Sequence, residues 1–324
     1  MTLLNKKTLQ CFSVAASLLL STHANSACRY IEQASLEVAH SDQSPLATVD
    51  GELNGQAVKY GLDTGLDNTL LLRGAVEKQG LTPLRTRRQL QGIGGNTSIF
   101  LVKIKDIAIG DAHAKNLQIQ AVDALENTGA AGMIGVDFLM QYDVDLNLAD
   151  HRIKLFRAEH CQDKALAYWD KDASIIPMEY IGNARRPRVQ VKLNGVALWA
   201  LIDSGAAESS VDLDIARQLG MSTDASGVVD GGEATGFGTN VRKLWNMTFD
   251  SFAIGDEVVQ HPRLAVMENA EHFTGRREHE MILGRDFLRA HHVLLAQSQM
   301  QVYFTYNGGQ VFLKDDIKLA HAAP

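Results

Sequence analysis

Net positive charge, cysteine and long hydrophobic runs are all scarce in this sequence of 324 residues. Acidic residues outnumber basic ones by 38 to 31, which gives a net charge of −7. A nucleic-acid partner would require a basic face, so we expect none. Beyond the N-terminal region, no apolar run approaches the roughly 20 residues of a membrane-spanning helix. We therefore expect a soluble mature protein without a membrane anchor.

Several motifs of common catalytic and ligand-binding sites are also missing. No Gly-x-Ser-x-Gly motif marks a nucleophilic serine, and neither Gly-x-Gly-x-x-Gly nor Gly-Lys-Ser/Thr marks a phosphate loop. A zinc helix starting at His279 would need a second histidine where Leu283 stands. We expect no cofactor and no metal, and we interpret the histidines of this region as solvated or packing residues: His272, His279, His291 and His292.

The first residues have the layout of a secretory signal peptide. Lys6 and Lys7 precede an apolar run over residues 11–20, and small polar residues follow up to Ala27. The apolar run is too short to anchor the chain in a bilayer. We expect cleavage of residues 1–27 and export to the periplasm or the outside of the cell. The alternative is a buried N-terminal helix.

The cysteines fit an exported protein. Cys11 would leave with the signal peptide, so Cys28 and Cys161 would be the only pair in an oxidising compartment, where disulfides persist. A bridge between them would fix the new N-terminus to the end of the first half. The alternatives are two unrelated thiols or lipidation of Cys28, although Asn25 stands where a lipoprotein signal usually has an aliphatic residue.

Two matching segments organise the chain. In residues 58–65 and 198–205 an apolar residue recurs at every second position, which predicts a strand. Each strand runs into an Asp, a small hydroxyl residue and a Gly, at Asp63 and at Asp203. Either tripeptide alone would fit an ordinary surface turn. Together they predict two carboxylates brought face to face.

The sequence contains an internal duplication around these segments. The length exceeds the size at which a single core stops growing, so two domains are expected. Landmarks recur in the same order in both halves: residues 92–95 match 236–238, 109–111 match 254–256, 133–139 match 282–288 and 153–156 match 300–304. The predicted organisation is a signal peptide at 1–27, an N-terminal lobe at 28–160, a connector at 161–186, a C-terminal lobe at 187–315 and a frayed tail at 316–324.

Within each half the pattern predicts mostly strands. Alternating residues 47–53 and 188–193 lead into Asn-Gly pairs, which are strong signals for a tight hairpin. Helices are few and short, at residues 73–79 and 212–219 and after each Gly-x-Asp-Phe-Leu segment. In the connector, we expect burial of Tyr168, Trp169, Ile175 and Ile176. The predicted fold is all-β with minor helices.

Residues 63–71 resemble the active-site segment of the retropepsin (retroviral-type) aspartic proteases, and residues 92–95 are similar to the tip of their flap. Residues 282–288 are similar to the segment before their C-terminal helix. The resemblance covers residues 45–156 and 186–313. It implies two tandem lobes with a cleft between them in one chain, as in pepsin-like enzymes, and a peptide or protein substrate.

The resemblance assigns roles to these residues. Asp63 and Asp203 would be the catalytic pair, which shares one proton because like charges at this distance do not both ionise cheaply; aspartic proteases are the standard example. One carboxyl would activate a water while the other donates to the carbonyl oxygen. Supporting residues would be Thr64, Gly65, Thr69, Ser204, Gly205 and Ser209. The flaps over the substrate would be Gly92, Ile93, Gly94 and Gly95, and Gly236, Phe237 and Gly238.

The chain departs from the family pattern in places. Leu66 stands where the family usually has Ala, which would narrow the cleft. Asp67 and Arg285 match a charged pair that the family forms within one lobe, but here they lie in different halves. The second flap is an approximate copy, so we expect one flap to dominate. Asp137 and Asp286 are expected to cap a short helix or accept backbone N–H bonds.

Two alternatives stay open. The bilobal cleft could hold extended peptides by strand pairing without cutting them, because a fold does not guarantee activity. Alternatively, Asp63 of one chain could pair with Asp63 of a second copy. Because covalent linkage raises the effective concentration of the partner within one chain, we expect a monomer.

Overall fold

The structure is a computed structural model that describes residues 27–39, 46–110, 112–123, 128–182, 184–268 and 280–312. The predicted signal peptide up to residue 26 and the predicted tail at 316–324 lie outside the described residues. So do His272 and His279.

The first half is built from strands with two short helices. In chain order the elements are β1 (Arg29–Ala39), β2 (Thr48–Leu53), β3 (Gln56–Leu62), β4 (Leu70–Leu72), α1 (Arg73–Lys78), β5 (Leu84–Gly92), β6 (Gly95–Ile109), β7 (Ala112–Val122), β8 (Gly132–Ile134), α2 (Val136–Leu139), β9 (Asp143–Asn147) and β10 (Arg152–Glu159).

The second half repeats this order with two additional short strands. Its elements are β11 (Ser174–Tyr180), β12 (Pro187–Leu193), β13 (Val196–Ile202), β14 (Ser210–Asp212), α3 (Leu213–Gln218), β15 (Val229–Ala234), β16 (Arg242–Thr248), β17 (Ser251–Ile254), β18 (Glu257–Gln260), β19 (Arg263–Met267), β20 (Met281–Leu283), α4 (Arg285–Ala290), β21 (His291–Ala296) and β22 (Gln301–Tyr306).

The strand pairings confirm the duplicated all-β fold. In the first half β2 and β3 form an antiparallel hairpin, and β3 then pairs in parallel with β8. In the second half β12 and β13 form the same hairpin, and β13 pairs in parallel with β20. Both hairpins turn at the predicted Asn-Gly pairs, whose residues have positive φ: 53° and 78° at Asn54 and Gly55, 49° and 78° at Asn194 and Gly195. These are the backbone angles that a type I′ turn requires.

A third sheet joins the two halves. Its antiparallel strands run in the order β1, β10, β9, β21, β22, β11, so each half contributes three of them. The central pairing of β9 with β21 aligns Leu146 with Val293. This sheet holds the halves in a fixed relation, because its hydrogen bonds run directly from one half to the other.

The range predicted as a connector contains an ordered strand. β11 pairs with β22 in the joining sheet and with β12 in the second lobe. Ile176 is buried, as expected, but Ile175 is 49% exposed and Tyr168 is 51% exposed. Because neighbouring residues of a strand point to opposite faces, Ile175 and Ile176 do not share one environment.

The predicted disulfide is present in the structure. Cys28 and Cys161 are bonded, and their Cα atoms are 4.6 Å apart. The bridge connects the start of β1 to the segment after β10, beside a small apolar cluster that includes Leu166, Leu294 and Tyr303. Within the described part of the chain, no helix has both the length and the apolar character needed to cross a membrane.

Candidate active site

The two predicted catalytic aspartates lie at the ends of equivalent strands. Asp63 follows β3, and its N–H donates to the carbonyl of Ile134 at 3.0 Å; Asp203 follows β13, and its N–H donates to the carbonyl of Leu283 at 3.0 Å. Each parallel neighbour, β8 or β20, therefore fixes where its strand ends. The carboxyl group of each aspartate therefore lies in the turn directly after its strand.

The two turns meet. A Cβ atom placed on Gly65 would lie 2.5 Å from Oδ2 of Asp203, and one placed on Gly205 would lie 2.5 Å from Cγ of Asp63. Only glycine fits at either position, because any side chain would displace the opposite carboxyl group. The carboxyl groups are also hydrogen-bonded to each other. The structure thus brings Asp63 and Asp203 together, as the sequence predicts.

Thr64 and Ser204 lock the turns to each other by four hydrogen bonds. The Thr64 hydroxyl donates to the Ile202 carbonyl at 2.7 Å and accepts the Ser204 N–H at 2.9 Å. The Ser204 hydroxyl donates to the Leu62 carbonyl at 2.9 Å and accepts the Thr64 N–H at 3.1 Å. Both hydroxyl side chains are buried. Each half therefore satisfies buried polar groups of the other, which holds the two carboxyl groups at a fixed separation.

The surroundings of the two aspartates differ. Burial, the charge of Asp203 and the hydrogen bond to Asp203 raise the pKa of Asp63 well above its usual value, against the opposite effect of N–H bonds from Gly65 and Leu66. Burial raises the pKa of Asp203 as well, but hydrogen bonds from Gly205 N–H, Asp63 and Ala206 N–H, together with the charge of Arg186, act in the opposite direction. The arrangement favours a proton on Asp63 and a negative charge on Asp203.

Thr69 and Ser209 support the two turns through a matching network. The Thr69 hydroxyl donates to Oδ1 of Asp137 at 2.7 Å and accepts the Gly135 N–H at 3.1 Å. In the second half the Ser209 hydroxyl donates to Oδ1 of Asp286 at 2.6 Å in the same way. These bonds agree with an inward hydroxyl at both positions. They also give Asp137 and Asp286 the structural role expected for them, because each accepts backbone N–H bonds at the start of a short helix.

Asp67 has a partner that the sequence did not reveal. Its Oδ1 lies 2.7 Å from Nε of Arg186, a residue just before β12. Arg285, the other candidate, is buried in the second half near the charges of Arg289, Asp203 and Asp286. Arg186 therefore links the active-site loop of the first half to the start of the second lobe. In the sequence it is only the last residue of the predicted connector.

The tips of the two predicted flaps are bonded to each other. Gly94 N–H donates to the Phe237 carbonyl and the Gly94 carbonyl accepts the Asn240 N–H, both at 2.9 Å, beside a parallel bridge between Gly94 and Gly238. The Arg242 side chain donates to the carbonyl of Ile93 at 3.0 Å. Both loops take part in this contact, and the dominance of one flap over a bound peptide stays a prediction. Asn240 and Arg242 were missed because they lie after the glycine motif that marked the loop.

His291 and His292 have structural roles. His291 is fully buried, with Nδ1 2.8 Å from the Phe287 carbonyl and Nε2 3.1 Å from Glu257. His292 is also buried, with Nε2 2.8 Å from Asp145. Across the described residues, no group of three or more His, Cys, Asp and Glu side chains could hold a metal ion.

Comparison with known proteins agrees with this geometry. A family model described as aspartyl protease matches residues 49–138 and 189–287, so each match contains one of the two aspartates and its supporting hydroxyl residues. Among curated proteins no match was found. The two matched regions cover more than half of the sequence and correspond to the two lobes. The chain therefore belongs to the aspartyl protease family, of the retropepsin-like type, and carries the family's domain twice.

Proposed function

We propose that this chain is an exported aspartic endopeptidase in which Asp63 and Asp203 activate a water molecule between them. The observation that carries the proposal is the close contact of the two carboxyl groups, each against the glycine of the opposite turn. Two carboxyl groups that share one proton can act as base and acid in the same step. Neither a metal ion nor a covalent intermediate is needed for this reaction.

The unequal surroundings assign the roles. Asp203, whose carboxylate is stabilised by the charge of Arg186, is the base that removes a proton from the water. Asp63, which retains its proton, donates it to the oxygen of the scissile carbonyl. The water oxygen bonds to the carbonyl carbon, giving a neutral tetrahedral diol. Asp203 then gives the proton it took from the water to the amide nitrogen, and Asp63 recovers a proton from a diol hydroxyl as the carbon–nitrogen bond breaks. The acid and amine products leave with both carboxyl groups restored.

The flaps and the locked turns support this chemistry in different ways. The hydrogen bonds of Thr64 and Ser204 keep the carboxyl groups in register, so little reorganisation is needed in the transition state. The flap tips must separate for a peptide to enter, because they are bonded to each other. Their closure afterwards would exclude bulk water and hold the peptide in position.

Conservative substitution of each aspartate tests the proposal. We expect Asp63→Asn and Asp203→Asn each to reduce kcat/KM for peptide cleavage by about 10²–10⁴-fold, the usual contribution of a general acid or base. The control is Asp163→Asn, the same chemical change at an exposed residue, which should leave cleavage unchanged. Hydrolysis that survives both active-site substitutions would contradict the catalytic assignment.

The second candidate function is peptide binding without cleavage. It is favoured by Leu66, which is 6% exposed and fills space beside the aspartates. A protein of this kind would bind extended peptides through its flaps and show no turnover. Cleavage by the wild-type protein that is inhibited by a transition-state-mimicking statine peptide would exclude this alternative.

We also propose export and a monomeric active form. The Cys28–Cys161 disulfide supports export, because such bonds persist in oxidising compartments. One chain supplies both aspartates, which supports the monomer. Fractionation of cells followed by sedimentation of the active enzyme tests both proposals. Activity confined to the cytoplasm would contradict export, and activity that disappears on dilution would contradict the monomer.

A further inference from the structure

The first lobe has an apolar layer on the side of its sheet that faces the flaps. Side chains of one strand alternate between two faces: Leu71 enters the main core, whereas Leu70 and Leu72 point to the other side. The members of this second set, here called the apolar layer, are buried: Leu46, Leu66, Leu70, Leu72, Ile99, Val122 and Met133. The layer contains Leu66 of the active-site turn, and Leu90 of flap strand β5 packs on it. The layer therefore connects the active-site turn to the flap strand, and we take it as the first wall of the cleft.

The register identifies the corresponding positions in the second lobe. Leu70 on β4 faces Met133 on β8, and Ser210 on β14 faces Ile282 on β20 in the same way. Leu70 thus corresponds to Ser210.

Two further positions follow from the same comparison. Leu72 faces Val122 across the parallel pair β4–β7, and Asp212 faces Met267 across β14–β19. In the turns, the N–H groups of Leu66 and Ala206 donate to the carbonyls of Asp63 and Asp203, respectively, both at 3.3 Å. Three leucines of the first wall are therefore replaced by alanine, serine and aspartate in the second. The second wall is smaller and more polar.

The flap residues show the same asymmetry. Phe237 belongs to the second half, yet its side chain packs on the apolar layer of the first lobe. Ile93, at the corresponding position of the other flap, lies against Gly236. A Cβ atom added to Gly236 would be 3.2 Å from the Cβ atom of Ile93. An aromatic ring thus extends the apolar wall on one side of the aspartates only.

We propose that the cleft is selective for a peptide with a large apolar residue on one side of the scissile bond and a small or polar residue on the other. The inference rests on the proposed endopeptidase function. The apolar layer and Phe237 provide apolar surface, against which burial of a leucine or phenylalanine side chain is favourable. The wall with Ala206, Ser210 and Asp212 lacks that surface, and a large apolar group there would displace water from polar groups without replacing their hydrogen bonds.

A peptide library with Phe, Leu, Ala and Ser at the two residues flanking the scissile bond tests the inference. We expect kcat/KM of the wild type to rise by at least about tenfold with a large apolar residue at one flanking position. At the other position we expect no such rise. Two reciprocal variants should change this preference. Leu66→Ala should weaken the preference for a large apolar residue at the position beside the apolar layer. Ala206→Leu should create such a preference at the other position. Ala206 is partly exposed, so a leucine has room there.

The outcomes separate this inference from the proposed function. Equal preference at both flanking positions, or a preference that neither reciprocal variant changes, would overturn the inference and leave the endopeptidase intact. If no peptide is cleaved, the proposed function fails. In that case, the affinities of the same peptides for Asp63→Asn, measured by fluorescence anisotropy, decide the inference. Selective binding would support a two-sided cleft, and equal binding would overturn it. Phe237→Ala serves as a second variant if Leu66→Ala does not fold, and should reduce the same preference.

Discussion

Asp203 holds a negative charge more easily than Asp63 does, although the two residues occupy equivalent turns. Oδ1 of Asp203 accepts N–H bonds from Gly205 at 2.8 Å and Ala206 at 3.2 Å. The charge of Arg186 acts on Asp203 and has no counterpart among the influences on Asp63. The charge of Arg285 also acts on Asp203, and the first half has Val136 at the corresponding position. Two arginines therefore make the two halves of the site unequal, which in the proposed reaction would let one carboxyl group serve as acid and the other as base.

The raised pKa of Asp63 predicts a pH-dependent stabilisation by Asp63→Asn. Because the folded-state pKa lies above the unfolded value, the stability of the wild type decreases as pH rises through the folded-state pKa. Asparagine does not ionise and can still donate a hydrogen bond to Asp203. We expect the variant to melt at a higher temperature than the wild type near neutral pH, and the difference to shrink in acid. Calorimetry between acid and neutral pH checks this.

The exposed Asp163→Asn variant is the control for that comparison, and its melting temperature should follow the wild type at every pH. A difference between Asp63→Asn and the wild type that is independent of pH would show that the effect comes from packing and not from ionisation.

We expect the charge of Arg186 to influence the position of the acidic limb of the pH–rate profile. Its charge lowers the pKa of Asp203, opposing the increase from burial. We expect Arg186→Gln to move the acidic limb to higher pH, because Asp203 then needs a higher pH to become ionised. The control is Asp67→Asn, which breaks the 2.7 Å ion pair and keeps the arginine. An equal displacement in both variants would assign the effect to loss of the ion pair instead.

At the scale of elements, the contact between the flap hairpins depends on glycine, which has no side chain, at position 94. A Cβ atom on Gly94 would lie 2.9 Å from three backbone atoms of the other flap, in Phe237, Gly238 and Asn240. Such short contacts between a Cβ atom and the backbone can be relieved only if the loop itself moves. The strand pairing of β5 with β6 continues to the hairpin tip, at Gly92 and Gly95, so the loop has little freedom to adjust.

We therefore expect Gly94→Ala to reduce kcat/KM by up to about 10²-fold, the effect of displacing a positioning element by roughly 1 Å. Global stability should change little, because the substitution lies at a loop tip. Gly74→Ala provides the control: nothing lies within 4 Å of a Cβ there, and the residue is exposed on α1. Steady-state kinetics that rank the two variants as equal would contradict a role for flap contact in catalysis.

The elements themselves could be predicted because their signals are local. Period-2 alternation and Asn-Gly pairs located the hairpins. The predicted helix at 73–79 is one residue longer than α1 at its C-terminal end, and the predicted helix at 212–219 is one residue longer than α3 at each end. The repeated Asp turns located the candidate site. The Arg186–Asp67 pair and the bonds between the flaps could not be predicted, because they join segments far apart in the sequence whose contact depends on how the lobes dock.

At the scale of the whole molecule, the joining sheet carries a buried, hydrogen-bonded pair of polar side chains between the two halves. Asp145 on β9 and His292 on β21 lie in adjacent strands, with Oδ1 2.8 Å from Nε2, and both side chains are almost fully buried. The Tyr168 hydroxyl donates to the other carboxylate oxygen at 2.6 Å, and the Trp169 ring stacks on His292 at 3.7 Å. The connector thus covers the place where the first and second halves meet.

Removing one partner of this pair would leave a carboxylate buried with fewer bonds. We expect His292→Leu to lower the free energy of unfolding by about 3–5 kcal/mol, the usual cost of breaking a buried pair. The matched control is His113→Leu. His113 lies 3.1 Å from Asp106 in a partly exposed pair, which should contribute about 1 kcal/mol or less.

Urea denaturation of both variants, with the disulfide intact, measures the difference. A double variant, Asp145→Asn with His292→Leu, should recover part of the loss, because no charge is then left buried. Since the pair links strands from both halves, we expect the loss to appear in the unfolding of the whole chain and not of one lobe. Equal losses in His292→Leu and His113→Leu would show that the joining sheet is held by its backbone hydrogen bonds and apolar contacts alone.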